Sequence, residues 1–174
     1  MRTNRDCDSL AHDIWPTTRG FRYIGVACSK RYRSRVRVVQ MLLTPVGHSI
    51  DSASPAEQER LGLSAGDEVL RLERLQYAGG KVRTFERSVL PLHRIPGIHV
   101  NRVQYLTLAE IADQFGVRLG RATERLSIVS APPSVARALA VNPTDKLLQI
   151  DRVTTTVDGT AIEWRLAHVM EMSS

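Results

Sequence analysis

Two stretches of this chain repeat one another at a fixed offset of 78 residues. The first, SAGDEVLRLERLQYAGG, occupies 64–80, and the second, NPTDKLLQIDRVTTTVDG, occupies 142–159. Identities fall at Pro55/Pro133, Leu61/Leu139, Asp67/Asp145, Leu70/Leu148 and Arg74/Arg152. Mild exchanges lie between them: Gly62/Ala140, Leu63/Val141, Leu72/Ile150, Glu73/Asp151 and Leu75/Val153. Each copy reads as helix, tight turn, strand, hairpin turn and second strand. Two copies are too few for a solenoid, which needs about three or more stacked units. Two units can share one sheet, with a cleft between them. The alternative is chance recurrence of helix–turn–strand grammar, against which stands a register that never slips.

The rest of the chain is read around this frame. The β-branched, apolar run RVRVVQMLLTPVG (35–47) predicts a strand. SPAEQERLG (54–62) predicts a helix with Ser54 as N-cap, Pro55 at the first helical position, Glu57 completing a capping box and Gly62 as the stop. Strands follow at 68–77 and 82–91, joined by AGGK. TLAEIADQFG (107–116) repeats the capping logic, with Thr107 as N-cap, Glu110 three residues on and Gly116 as the stop. A strand at 122–131, a short helix at 132–140 and a hairpin of 146–157 and 160–172 complete the chain. Hairpins separated by short helices predict an α+β fold with a mostly antiparallel sheet.

Composition narrows the function classes. No apolar run approaches the length of about 18 residues that spans a bilayer. The opening MRTNRDCDSLAHD has no apolar core and does not read as a secretory signal, so the cytoplasm is the expected location. Cys7 and Cys28 have no CxxC partner, which predicts neither a disulfide framework nor a zinc site. A net charge of +6, concentrated in KRYRSRVR at 30–37, admits an anionic or nucleic-acid partner as well as a solvated segment. Aromatic residues are scarce for a stacking platform, with two Trp, four Tyr and three Phe.

Enzyme signatures are absent: there is no GxSxG, P-loop, GxGxxG or HExxH. The five histidines lack ligand spacing. The expectation is therefore no catalytic residue, no metal site and no cofactor. Strand alternation places Leu70, Leu72, Arg74 and Gln76 on one face, and Glu86 and Ser88 on the face of Val82, Thr84 and Leu90. On the last strand Glu163 shares a face with Arg165, Ala167 and Val169. Each hairpin thus brings an Arg and a Glu together, Arg74 with Glu86 and Arg152 with Glu163. They form either cross-strand ion pairs or the wall of a polar pocket.

In order and spacing, LGLSAGDEVLRLERL, FERSVLP, TLAEIADQFGVRLGRATERL and ALAVNPTDKLLQIDRVTTTVDGTAIEW resemble the UTRA domain. That is the effector-binding domain of GntR-type bacterial transcription regulators of the HutC subfamily. The resemblance runs from about 36 to 170. It implies a chorismate lyase-like α+β fold, with a mostly antiparallel sheet flanked by short helices and two related halves around a ligand cleft. It implies a ligand sensor, not an enzyme, with a sugar phosphate, an amino acid or an organic acid as effector. A homodimer is implied too, with DNA contacted only through a winged helix-turn-helix. Residues 1–34 show no such pattern and read as a tail or linker, leaving 35–174 as the sensor domain.

By that resemblance Arg74 holds the effector's anionic group, Glu86 and Glu163 accept hydrogen bonds from its hydroxyls, and Thr107 binds the anion at a helix N-terminus. Gln76 stands where sugar-phosphate-sensing members carry a second arginine, and Val169 where they carry an aromatic. Ser88 and Arg165, on the same faces, complete the candidate ligand-binding set. A chorismate lyase-like enzyme acting on a small anionic substrate is the alternative reading.

Overall fold

The computed structural model describes residues 41–170. The readings for the 1–34 tail, the basic run 30–37, the start of the first strand at 35 and the final residues 171–174 lie outside the described residues. Six strands form one sheet: β1 (Met41–Ser52), β2 (Glu68–Ala78), β3 (Lys81–Pro91), β4 (Leu119–Ser130), β5 (Lys146–Thr156) and β6 (Ala161–Val169). Four helices accompany them: α1 (Pro55–Leu61), α2 (Val100–Val103), α3 (Leu108–Gln114) and α4 (Pro133–Leu139). A 3₁₀ turn at Leu92–Arg94 follows β3. β1 runs to Ser52, five residues past the expected end at 47, because its whole length pairs with β2 down to Ser52↔Glu68.

The duplication is structural. Met41–Ser52 recurs as Leu119–Ser130, Pro55–Leu61 as Pro133–Leu139 and Glu68–Ala78 as Lys146–Thr156, each displaced by 78 residues at both ends. Every pairing is antiparallel, and the order β1-β2-β3-β6-β5-β4 sets the halves back to back, with β3 against β6 at the centre. The hairpin bulges correspond, at Gln76/Tyr77 in the first half and Thr154/Thr155 in the second, while those on β1 and β4, at Pro45/Gly47 and Leu119/Ala122, do not.

Local chemistry explains the elements. α1 carries the expected capping box: the Ser54 backbone N–H donates to Glu57 Oε2 at 2.7 Å and the Glu57 N–H to Ser54 Oγ at 3.4 Å. The β2–β3 hairpin turns on Gly79 and Gly80, both at positive φ (60° and 75°) as a two-residue hairpin turn requires. The second hairpin closes on Thr156, with its N–H bonded to Thr160 O at 2.8 Å, and is one residue longer.

The two equivalent helices end alike, with Gly62 at φ 60° and Ala140 at φ 55°. Only the first is a residue without steric objection to that conformation. Ala140→Gly should therefore raise stability by about 0.5–1 kcal/mol, a shift of about 1–4 °C in melting temperature. A thermal melt that moves down instead would show that Ala140 carries no strain.

The sheet is covered on both sides. On one face, α1 packs through Leu61, with Ala53 just before it, on Val69 and Val89, and α4 with Val135, Ala136 and Leu139 on Phe85 and Leu147. On the other, Ile95, Val103 and Ile111 from the α2–α3 block pack on Leu70, Leu72 and Leu90. This second face, the α3 face, is covered over β2 and β3. Over β4, Leu126 and Ile128 stay 60% and 68% exposed.

Candidate functional site

The α3 face carries a row of polar side chains that begins where the Leu70–Leu72 core stops. Alternation along β2 puts Arg74 and Gln76 on this face beyond Leu72. Register brings Glu86 opposite Arg74 and Ser88 opposite Leu72. On β6, Arg165 lies opposite Ser88 and Val169 opposite Thr84. Glu163 lies opposite Thr154.

These groups form one hydrogen-bonded network. The Arg74 guanidinium is within 2.6 Å of Glu86 Oε1, and it donates to Ser88 Oγ at 3.0 Å and to the Leu106 carbonyl at 2.6 Å. Gln76 Nε2 donates to Glu86 Oε2 at 2.6 Å. The Ser88 hydroxyl donates to Glu163 Oε1 at 2.9 Å. Arg165 Nη1 lies 3.5 Å from Glu86 Oε2. Arg74, Glu86, Ser88 and Glu163 are buried, with Arg74 only 2% exposed. Buried charges persist where they are paired and hydrogen-bonded, as here.

Two expectations change. First, Arg152 does not meet Glu163. Directly opposite Arg152 on β6 is Arg165, whose like charge repels it, and the Arg152 side chain pairs instead with Glu124 on β4. Glu163 sits one pair further along the same face and accepts from Ser88. Second, Thr107 does cap α3, but its hydroxyl is engaged. Thr107 Oγ1 donates to Glu110 Oε2 at 2.8 Å and accepts the Glu110 N–H at 3.3 Å, while Glu110 Oε2 also takes the Thr107 N–H at 2.7 Å. A carboxylate already occupies the start of this helix.

Burial pushes the Glu163 carboxyl up from its ordinary range, against the pull of Arg165. The neutral form is thus the better tolerated one in the fold. The linkage has a definite sign: with the folded value above the unfolded value of 4.5, this group's contribution is full in acid and is lost as pH rises through the folded value. Glu163→Gln, which keeps an acceptor for Ser88, should melt higher than the parent at pH 7–8, and the gap should close below about pH 4.5. Equal melting temperatures across that range would show the carboxylate to be fully stabilised by its neighbours.

Sequence reasoning missed the part of the site that comes from 92–106. The Leu106 carbonyl, which holds Arg74, ends a run of apolar residues at Leu92, Ile95, Ile98, Val100, Val103 and Leu106 that pack on or within the α2–α3 core. Their near-threefold spacing was the available signal. Among the described residues, no group of three or more His, Cys, Asp or Glu is placed to hold a metal. A surface depression of about 340 Å³ lined by Gly47, His48, Ser49, Arg71, Glu73 and Arg87 lies away from the network, by β1 and β2. His168, buried by Phe85, has both ring nitrogens without a partner, and desolvation lowers its pKa.

This fold is shared with effector and ligand-binding domains of bacterial GntR-family regulators. The chain belongs to the UTRA domain family, whose model matches residues 46–169. Among solved structures, it is similar to the ligand-binding domain of a protein assigned to the GntR family of transcriptional regulators in Bordetella bronchiseptica. That likeness has 24% identity and a TM-score of 0.71, covering 76% of this chain and 86% of that one. The effector domain of PhnF from Mycobacterium smegmatis matches at 22% identity and a TM-score of 0.69, covering 75% and 81%. A GntR-family regulator from Bacillus cereus matches at 20% identity and a TM-score of 0.66, covering 77% and 96%.

Proposed function

We infer that this domain senses a small molecule on its α3 face and passes the signal to a DNA-binding partner domain of a bacterial transcription regulator. One observation carries the reading: the polar network spans the junction of the two halves, β3 against β6, and reaches the lip of the α2–α3 block at Leu106. A ligand there touches both halves and the block at once. Arg74, Gln76, Glu86, Ser88, Thr107, Glu163, Arg165 and Val169 are its proposed surroundings. Arg74, tied on both amino groups, serves there as a brace that sets the positions of Glu86 and Ser88.

The site binds and does not catalyse. Its hydroxyls are already engaged, Ser88 donating a hydrogen bond to Glu163 and accepting one from Arg74 and Thr107 donating to Glu110, and no histidine belongs to the network. DNA recognition belongs to a winged helix-turn-helix, and the place of work is the cytoplasm, where such regulators meet DNA. Among the described residues no helix is long and apolar enough to cross a membrane. The homodimer implied by the family is part of this reading, and a monomer by light scattering at micromolar concentration would remove it.

A thermal-shift screen against sugar phosphates, amino acids and organic acids tests the sensor. A ligand at about 100 times its Kd adds about 2.7 kcal/mol, or about 5–10 °C. No shift with any class, or turnover of chorismate, would overturn the reading.

A further inference from the structure

The duplication shows which cation of the network has no hydrogen-bonded counter-charge. Because the second hairpin turn is one residue longer, the position equivalent to Glu86 is Arg165: Arg74 faces Glu86 across the first hairpin, and Arg152 faces Arg165 across the second. A carboxylate in one half has become a guanidinium in the other. Arg152 is taken by Glu124. Arg74 is taken by Glu86, Ser88 and the Leu106 carbonyl. Glu86 spends both oxygens, on Arg74 and on Gln76. Arg165 is left with a 3.5 Å approach to Glu86 as its nearest ion pair, beyond good hydrogen-bond length; its Nε, like that of Arg74, is buried without a partner, but unlike Arg74 it has no hydrogen bond from its amino groups to a side chain or carbonyl among the described residues.

Arg165 is also placed to receive something. Its side chain is 20% exposed, against 3% for Arg74, on the α3 face and next to the strands that the α2–α3 block leaves open. The start of α3, the other place an anion could sit, already holds the Glu110 carboxylate. Gln76 brings amide donors and no charge to the row.

We propose that Arg165, and not Arg74, anchors the anionic group of the effector, and that the effector is a small carboxylate. The proposal rests on the sensor reading above. The class follows from charge: one guanidinium without a hydrogen-bonded counter-ion matches one negative charge, and its planar fork matches a carboxylate's two oxygens. A phosphate monoester, near two negative charges, would face Glu86 and Glu110 with a single cation to offset it. Glu163 accepts from Ser88 and, among the described residues, makes no ion pair with Arg165.

The test uses the whole chain and defined singly charged probes: acetate, lactate and benzoate, with glucose 6-phosphate and uncharged N-acetylglucosamine as contrasts, at ionic strength matched with sodium chloride. A carboxylate should raise the melting temperature. Arg165→Gln should weaken its binding about 10- to 100-fold, as loss of a charge-assisted contact does, and Arg165→Lys should lose less. Melting without ligand should move little in Arg165→Gln, because no hydrogen bond is removed. If glucose 6-phosphate or the uncharged sugar binds and the carboxylates do not, the sensor stands and the Arg165 assignment falls. Equal carboxylate affinity in Arg165→Gln also overturns it. A panel in which nothing binds overturns both readings.

Discussion

Arg74→Ala is expected to lower stability by about 3–5 kcal/mol, because it strands the Glu86 carboxylate in the interior. Glu86 is 1% exposed and would retain only the Gln76 amide and the distant Arg165. The Ser88 hydroxyl loses a donor, and the Leu106 carbonyl loses its guanidinium. Arg152→Ala, at the matching position of the second half, is the internal control. Its pair with Glu124 is half-exposed, with side chains at 27% and 36%, and such a pair contributes about 0–1 kcal/mol. Urea denaturation of both variants makes the comparison. The joint replacement Arg74→Met with Glu86→Leu should recover most of the loss, since an apolar pair in place of a buried ion pair is often neutral or better. A loss in Arg74→Ala no larger than in Arg152→Ala would mean that the network relaxes into water.

Ile111→Ala is expected to cost about 2–5 kcal/mol. Ile111 is 2% exposed and joins Val103 and Ile95 against Leu70, Leu72 and Leu90, so its removal leaves a cavity between α3 and the sheet. The effect should be concentrated in the block. α2 has four residues and no side-chain cap, and α3 has seven, both too short to persist without packing. Hydrogen exchange should therefore quicken at 100–115 more than in β5 and β6. Uniform quickening across the sheet would show that the block does not open apart from the rest.

The sequence carried much of the fold because its signals were local. Ser54 with Glu57, and Thr107 with Glu110, announce helix starts through groups three residues apart, and both capping boxes are present. The Gly79–Gly80 turn and the period-2 runs announce the first hairpin, and the repeat announces the second. What escaped depends on partners distant in sequence. Arg152 turns to Glu124, 28 residues back, because Arg165 opposes it. One extra residue in a turn set that opposition, and alternation within a single strand is blind to it. The burial of Arg74 depends on Leu106, 32 residues on, in a segment with neither caps nor alternation. The family resemblance pointed to this face of β2, β3 and β6, but it could not show which cation there is already satisfied.

The back-to-back layout also bears on how the chain folds. Within a half, paired residues are close in sequence: Arg74 and Glu86 are 12 apart. Across the central junction, Ser88 and Arg165 are 77 apart. Closing the longer loop costs about 1.5–2 kcal/mol more in chain entropy, and each half can form its own hairpin before meeting that cost. The chain thus has two equivalent places to nucleate and one slow joint. The transition state for folding should contain one hairpin or the other, with β3–β6 pairing still to come. Substitutions along the junction should then speed unfolding while leaving the folding rate nearly unchanged.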